Sequence, residues 1–100
     1  MEHLPNYKKE ERPWGSFERF TLNEKSTVKI VTVKEDAAIS LQTHKDRDEF
    51  WRVLAGFGVI TIGQKKSDAK PGDNFFSTRG SEHRVEGGAG GLTILAIAFG

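Results

Sequence analysis

The chain contains no cysteine, which excludes both disulfide bonds and thiolate chemistry. An excess of charge is also missing, because 15 basic side chains are balanced by 14 acidic ones. The composition therefore offers no general attraction for nucleic acid or for an acidic membrane surface. No apolar run approaches the ~18 residues of a membrane helix, and the first residues are not typical of a signal peptide. We predict a soluble, cytoplasmic protein that binds neither nucleic acid nor membrane.

The remaining features indicate one small β-domain. With 100 residues and 36% hydrophobic side chains, the chain can bury a single modest core. No segment has a helical period, and short strand-like segments alternate with turns about every 8–12 residues. The predicted strands cover residues 16–22, 28–33, 38–43, 49–54, 59–62, 73–77, 82–86 and 92–99. This spacing predicts an all-β sandwich or barrel, and hairpin pairing favours a small jelly roll.

Several segments are expected to lie outside the strands. Residues 1–11 are polar and predict a loose N-terminal tail, so the domain covers residues 12–100. The glycines of residues 55–58 predict a hairpin turn, and those of residues 87–91 predict a flexible loop. Trp14, between a proline and a glycine, is interpreted as a lid on one end of the barrel.

Two further features concern the faces of the strands. Residues 28–33 are rich in β-branched side chains and predict a strand buried on both faces. Lys29 interrupts that strand, and it either extends to solvent or faces a polar cavity. Phe50 and Leu54 form an apolar outer face that can pack on a second sheet or on a partner subunit. From this face we predict a homodimer.

The segment of residues 42–51 is rich in side chains that can bind a metal ion. Because alternate residues of a strand share a face, Gln42, His44 and Asp46 can point into the same space. Charged residues from Lys45 onwards suit a turn, after which the next strand begins. A charged turn of this kind is also common on a solvated surface, which is the alternative interpretation.

Two residues further along the chain extend this group. Glu49 shares a strand face with Trp51, and His83 is the next histidine downstream. Imidazole nitrogen and carboxylate oxygen together suit zinc, iron, manganese or nickel. We therefore predict a metal site to which two neighbouring strands and the His83 segment contribute.

Two segments of the chain resemble the two cupin motifs. The first keeps the order and spacing of His44, Asp46, Glu49 and Gly56. The second keeps Gly72, Gly80 and His83. A closer resemblance is to the cupin family of type II mannose-6-phosphate isomerases, which also occurs fused to mannose-1-phosphate guanylyltransferases. It is carried by Arg12-Pro13-Trp14-Gly15, by Ile39-Ser40-Leu41-Gln42-x-His44, by Arg47-x-Glu49-x-Trp51 and by His83-Arg84.

The chain departs from the cupin pattern at a few positions. Asp46 stands where cupins usually carry a second histidine, and Thr78 stands where proline is usual. Asp46 matters most, because it replaces a metal ligand. The order Gln42, His44, Asp46 is also similar to the zinc-binding Gln-x-His of the larger type I mannose-6-phosphate isomerases, which makes Gln42 a candidate ligand.

The resemblance implies a cupin barrel with one divalent metal ion, zinc in the first place, with manganese, nickel or iron as alternatives. The candidate ligands are His44, Glu49, His83 and either Gln42 or Asp46. Such a ligand set leaves open coordination positions, which is typical of a catalytic site. The implied activity is the interconversion of mannose 6-phosphate and fructose 6-phosphate.

The same resemblance suggests roles for the other polar side chains. The candidate bases for proton transfer are Lys29, Glu82 and Asp46, the last only if it is not a ligand. The candidates for binding a substrate phosphate are Arg12, Arg47 and Arg84, and for each of them an ordinary surface ion pair is the alternative. Trp51 is either a wall beneath a sugar ring or part of the core.

Two other functions remain open from the sequence. One is an iron-dependent oxygenase reaction, although the group of arginines favours an anionic substrate. The other is a non-catalytic cupin that binds a sugar or sugar phosphate. The predicted partners are therefore a small sugar phosphate and a second copy of the chain.

Overall fold

The structure, a computed structural model, describes residues 3–41 and 47–100, without the side chains of Ser40 and Leu41. The described residues form eight β-strands and no helix. The strands are β1 (Lys8–Arg12), β2 (Gly15–Arg19), β3 (Ser26–Val33), β4 (Ala38–Leu41), β5 (Asp48–Ile62), β6 (Lys65–Ala69), β7 (Asn74–Ser77) and β8 (His83–Phe99). The all-β prediction is confirmed. Within the described ranges no helix is long and apolar enough to span a membrane.

Six of these strands form one antiparallel sheet around the core. Along this sheet β3, β8, β5 and β6 are neighbours in that order. The first part of β8 also pairs with β4, and the first part of β5 pairs with β7. β5 and β8 pair with each other over nearly their whole length, so they form the central strand pair of the barrel.

The main core lies on the inner face of this sheet. Its largest buried side chains are Trp51, Ile60, Leu92 and Ile94, which come from β5 and β8. Val33 reaches the same cluster from β3. The alternation of β5 predicted that Trp51 and Val53 share the inner face, and both belong to this cluster.

The two glycine segments lie within strands, so the predicted hairpin turn and flexible loop are wrong. Residues 55–58 belong to β5, and residues 87–91 belong to β8. At Gly56, φ is +83° and an added Cβ would lie 2.1 Å from the carbonyl oxygen of Gly91. The glycines therefore allow two long strands to approach closely and bend, instead of reversing the chain.

Strand β3 is less buried than the sequence predicted. Val28 and Ile30 are exposed on its outer face, so burial on both faces is wrong for this strand. The physical reason is its place at the end of the strand order, where the described residues put no second layer over its outer face. Lys29 lies on the inner side with Val31 and is exposed.

The N-terminal segment forms structure instead of a loose tail. Strands β1 and β2 make an antiparallel hairpin, and Leu4 is buried against Phe50 and Ile97 on the outer face of the barrel. The chain itself therefore covers Phe50, while Leu54 stays largely exposed. Trp14 is 73% exposed at the tip of the hairpin, so the predicted lid is wrong.

Candidate functional site

The core contains a small polar cluster of Glu49, Ser77 and His83. Glu49 is 4% exposed and His83 is 5% exposed. The Nε2 atom of His83 lies 3.5 Å from a carboxylate oxygen of Glu49, and its Nδ1 atom lies 3.1 Å from the hydroxyl oxygen of Ser77. Burial of a polar group lowers stability unless the group has a hydrogen-bond partner. A polar cluster in an otherwise apolar interior therefore marks a candidate functional site.

Strand register explains why these three side chains meet. Glu49 on β5 is the direct partner of Ser77 on β7, and side chains that are directly opposite in an antiparallel pair share a face. His83 begins β8, which pairs with both β4 and β5. The imidazole thus lies between a carboxylate and a hydroxyl that neighbouring strands hold in place.

A tight turn connects β7 to β8 and fixes the position of His83. The N–H of Ser81 donates to the carbonyl of Thr78 at 3.1 Å, and their two hydroxyl groups are 3.0 Å apart. Gly80, with φ at +86°, occupies the position of a type II turn that needs a positive φ. Thr78 therefore begins a closed turn although it replaces the proline that is usual in cupins.

Trp51 forms one wall of the polar cluster. Its ring meets the His83 ring edge to face, with 4.8 Å between the ring centroids. Trp51 is fully buried in the main core. Its indole nitrogen has no hydrogen-bond partner among the described residues. Trp51 thus packs as part of the core and contacts the cluster through its ring.

The other predicted ligands, Gln42, His44 and Asp46, lie outside the described residues. The described residues contain no group of three or more side chains that could hold a metal ion. The chain leaves the described structure after Leu41, which is the register partner of His83, and it returns at Arg47, two residues before Glu49. Leu41 and Arg47, the residues on either side of residues 42–46, are therefore both near members of the cluster: Leu41 is paired with His83, and Arg47 is two residues from Glu49.

The two candidate bases that the structure describes, Lys29 and Glu82, are exposed. Lys29 is paired with Ala96 of β8, which is in turn paired with Trp51, so the three residues form one row across the sheet. Glu82 is exposed and directly precedes His83. Asp46 lies outside the described residues.

The three candidate arginines are in different places. Arg47 is half-buried just before β5. Arg84 lies on the opposite side of β8 from His83 and pairs with Glu86 at 3.6 Å. Arg12 lies on the β1–β2 hairpin and pairs with Glu10. Arg84 is next to His83 in the sequence but lies on the other side of the strand, whereas Arg47 lies two residues before Glu49.

A charged network lies on the other face of β5. Arg52 donates two hydrogen bonds to the Glu18 carboxylate at 3.2 and 3.1 Å, and the Tyr7 hydroxyl donates to the same carboxylate at 2.6 Å. These hydrogen bonds hold the pKa of Glu18 below its usual value, and those from Arg52 have the largest effect. The network attaches the N-terminal hairpin to the strand that carries Glu49 and Trp51.

Ser77 is the site residue that the sequence interpretation missed. A serine at the end of a short strand is common and carries no metal-ligand signal by itself. Its position six residues before His83, across a turn marked by Gly80, was the available signal. Only the register with Glu49 shows that the serine points inward.

Comparison with known proteins identifies a family to which the sequence of the chain is similar. The family model for the C-terminal domain of mannose-6-phosphate isomerase matches residues 2–100. A mannose-1-phosphate guanylyltransferase of Escherichia coli is 34% identical over 90 residues, which cover 89% of this chain and 19% of that protein. The chain thus spans about a fifth of the length of the curated relatives it matches.

Solved structures with the same fold include two cupins. A sugar phosphate isomerase of the cupin superfamily from Silicibacter pomeroyi matches with a TM-score of 0.67 and 25% identity, over 79% of this chain and 52% of that one. A cupin protein from Bacteroides fragilis matches with a TM-score of 0.69 and 22% identity, over 78% of this chain and 67% of that one. These similarities confirm the predicted jelly-roll fold of the cupin type.

Proposed function

Because the chain belongs to the family of mannose-6-phosphate isomerase C-terminal domains, we propose that it is a metal-dependent sugar-phosphate isomerase. The proposed reaction interconverts an aldose phosphate and a ketose phosphate, with mannose 6-phosphate and fructose 6-phosphate as substrates. Support for the substrate class comes from the cupin of Silicibacter pomeroyi, which is named as a sugar phosphate isomerase.

The observation that carries the proposal is the buried pair of Glu49 and His83. A carboxylate and an imidazole, each at most 5% exposed, lie 3.5 Å apart in a core that is apolar apart from them and Ser77. Burial of such groups is unfavourable for stability alone, so a site that uses them is the better explanation. The two residues also occupy the ligand positions of the cupin motifs.

The donor atoms of this pair fit a divalent metal ion. One carboxylate oxygen and one imidazole nitrogen are ligands that zinc, manganese, nickel and iron accept. Glu49 and His83 would hold the ion together with His44 and with either Gln42 or Asp46. Zinc is the first candidate, because the Gln-x-His order resembles that of zinc-dependent isomerases.

The chemistry divides between the ion and the chain. A bound divalent ion would polarise the substrate carbonyl and the neighbouring hydroxyl, which would acidify the C–H bond of the hydroxyl-bearing carbon next to the carbonyl. Lys29, Glu82 and Asp46 are the candidate bases for moving a proton between C2 and C1. Trp51 is fully buried and packs against the His83 ring, so it can act on the site only through that ring.

The substrate phosphate needs a cationic partner. Arg47 is the first candidate, because it is half-buried and lies two residues before Glu49. A guanidinium group can bind two phosphate oxygens at once. Arg84 lies on the opposite side of β8 from His83, and Arg12 lies on the β1–β2 hairpin, so both are weaker candidates in this arrangement.

A non-catalytic sugar-phosphate-binding cupin is the second candidate. The observation that favours it is the aspartate at position 46, in place of the usual second histidine of cupins. This second function keeps the barrel and the phosphate contacts but needs no base.

A coupled assay separates the two functions. The metal content of the purified protein is measured first, and then formation of fructose 6-phosphate from mannose 6-phosphate is followed with and without a chelator. We expect turnover that the chelator abolishes and that His44→Ala abolishes as well. The matched control is His3→Ala, which removes a histidine outside both cupin motifs and should leave turnover unchanged.

The other outcomes decide against the isomerase. A metal-loaded protein that binds mannose 6-phosphate in calorimetry without turning it over supports the binding cupin. If the metal-loaded protein neither binds nor converts the sugar phosphate, both proposed functions are wrong. Activity that persists in His44→Ala at full rate would contradict the ligand set.

A further inference from the structure

We propose that Ser77 is a positioning residue that controls which nitrogen of His83 carries a proton, and hence whether Nε2 can bind a metal ion. This inference rests on the proposed metal site. It concerns a residue that the cupin-like spacing of the sequence does not mark.

The geometry places the serine and the glutamate at opposite ends of one imidazole ring. The Ser77 hydroxyl oxygen lies 3.1 Å from Nδ1 of His83, while a carboxylate oxygen of Glu49 lies 3.5 Å from Nε2. All three residues are buried. Ser77 and Glu49 are direct partners across β7 and β5, so the two strands hold both ends of the ring in register.

The ring itself has little freedom to turn. Trp51 packs edge to face against it, with 4.8 Å between the ring centroids. The closed turn from Thr78 to Ser81 fixes the backbone just before it. Since dense packing opposes rotation, a change in the state of His83 is a change of tautomer and not a flip of the ring.

A hydroxyl group suits both tautomers, because it can donate or accept a hydrogen bond. When Nδ1 carries the proton, it donates to the Ser77 oxygen and Nε2 presents a lone pair. When Nε2 carries the proton, Ser77 donates to Nδ1 and the Nε2–H points towards Glu49. The hydroxyl therefore stabilises the tautomer that can bind a metal ion, without excluding the tautomer that pairs with the carboxylate.

Alanine at position 77 would remove the hydroxyl that can pair with Nδ1 in either tautomer. A proton on Nδ1 would then be a buried donor without the hydroxyl acceptor, which is unfavourable. The imidazole would shift to the tautomer with its proton on Nε2, where Glu49 can accept it. Metal binding at Nε2 would have to reverse that shift, so metal affinity should fall.

The experiment combines zinc titration with imidazole NMR. Zinc affinity is measured by competition with a chelating dye for the wild-type protein, for Ser77→Ala and for Ser77→Thr. We expect Ser77→Ala to weaken binding by about 10–100-fold, as with loss of other residues that orient a histidine ligand. Ser77→Thr keeps the hydroxyl and should retain most of the affinity. The matched control is Ser67→Ala on β6, which should bind zinc as the wild type does.

The NMR measurement does not depend on metal binding. In the metal-free protein, the ¹⁵N shifts of His83, assigned with His83→Gln, should move towards the Nε2-protonated tautomer in Ser77→Ala. Backbone spectra establish that each variant is folded. Unchanged His83 shifts in folded Ser77→Ala would overturn the proposal, as would unchanged zinc affinity. If the wild-type protein binds none of zinc, manganese, nickel and iron, the proposed function fails, and the tautomer shifts alone decide the role of Ser77.

Discussion

Replacement of Arg52 by methionine is expected to lower the free energy of unfolding by about 2 kcal/mol. Arg52 donates two hydrogen bonds to Glu18, and its guanidinium lies over the Phe20 ring at 5.2 Å. Methionine keeps an unbranched apolar stem at this position but removes all of these contacts. It also leaves the Glu18 carboxylate without its cationic partner.

The magnitude follows from the burial of the pair. The side chains of Arg52 and Glu18 are 16% and 28% exposed, which is between a surface pair and a buried one. Exposed pairs contribute about 0–1 kcal/mol, while breaking a buried pair costs about 3–5 kcal/mol. An intermediate value of about 2 kcal/mol corresponds to a fall in Tm of about 10 °C for a domain of this size.

The effect should depend on pH in a defined direction. Arg52, and after it Tyr7, lowers the pKa of Glu18 in the folded state. The contribution of Glu18 is therefore fully present above its unfolded pKa of about 4.3, and it is lost as the pH falls through the lower folded pKa. The difference between wild type and variant should shrink in strongly acidic solution.

Urea unfolding followed by tryptophan fluorescence measures this difference at neutral and at acidic pH. The matched control is Lys70→Met, because Lys70 is exposed and its ammonium lies 4.0 Å from Asp73. That change should alter stability by less than about 0.5 kcal/mol. A loss in Arg52→Met no larger than in the control, or a loss that is the same at both pH values, would refute the reasoning.

Three further predictions test other parts of the structure. Gly56→Ala should lower the free energy of unfolding by more than about 3 kcal/mol, because the added methyl would meet the carbonyl of Gly91. Gly63 also has a positive φ but faces open space, so Gly63→Ala should cost about 1 kcal/mol. Urea titration measures both variants. His83→Ala should abolish zinc binding in dye competition while the far-UV spectrum stays that of a β-protein, and full zinc retention would exclude this ligand. Trp14→Ala should change Tm by no more than about 2 °C, since the ring is exposed and contributes no core, and a large fall would show that Trp14 packs after all.

The sequence predicted the strands well where one face is apolar. Alternation in β5 placed Glu49, Trp51 and Val53 on one face, and all three are buried. The cupin resemblance predicted that Glu49 and His83 meet, although they are 34 positions apart in the chain. The prediction for β5 succeeded because side-chain alternation is a local property of the backbone, whereas the meeting of Glu49 with His83 was implied by the family resemblance.

The errors all concern what packs against a segment from elsewhere in the chain. Glycines such as Gly56 indicate a turn when only their neighbours are considered, but here they accommodate the backbone of another strand. The polar N-terminal residues predict a tail from the sequence, but in the structure Leu4 packs against Phe50. The apolar residues of β3 predict a buried strand from the sequence, but β3 lies at the end of the strand order and its outer face is exposed.

The sequence by itself determined the faces of β5 and the residue types of the proposed metal site. Only the tertiary structure decided which hydroxyl contacts His83 and which surface the N-terminal hairpin covers. The physical reason is that strand register and layer packing are set by contacts between residues far apart in the chain. A local pattern states which way a side chain points, whereas the pairing of β5 with β7 decides that Ser77 lies opposite Glu49.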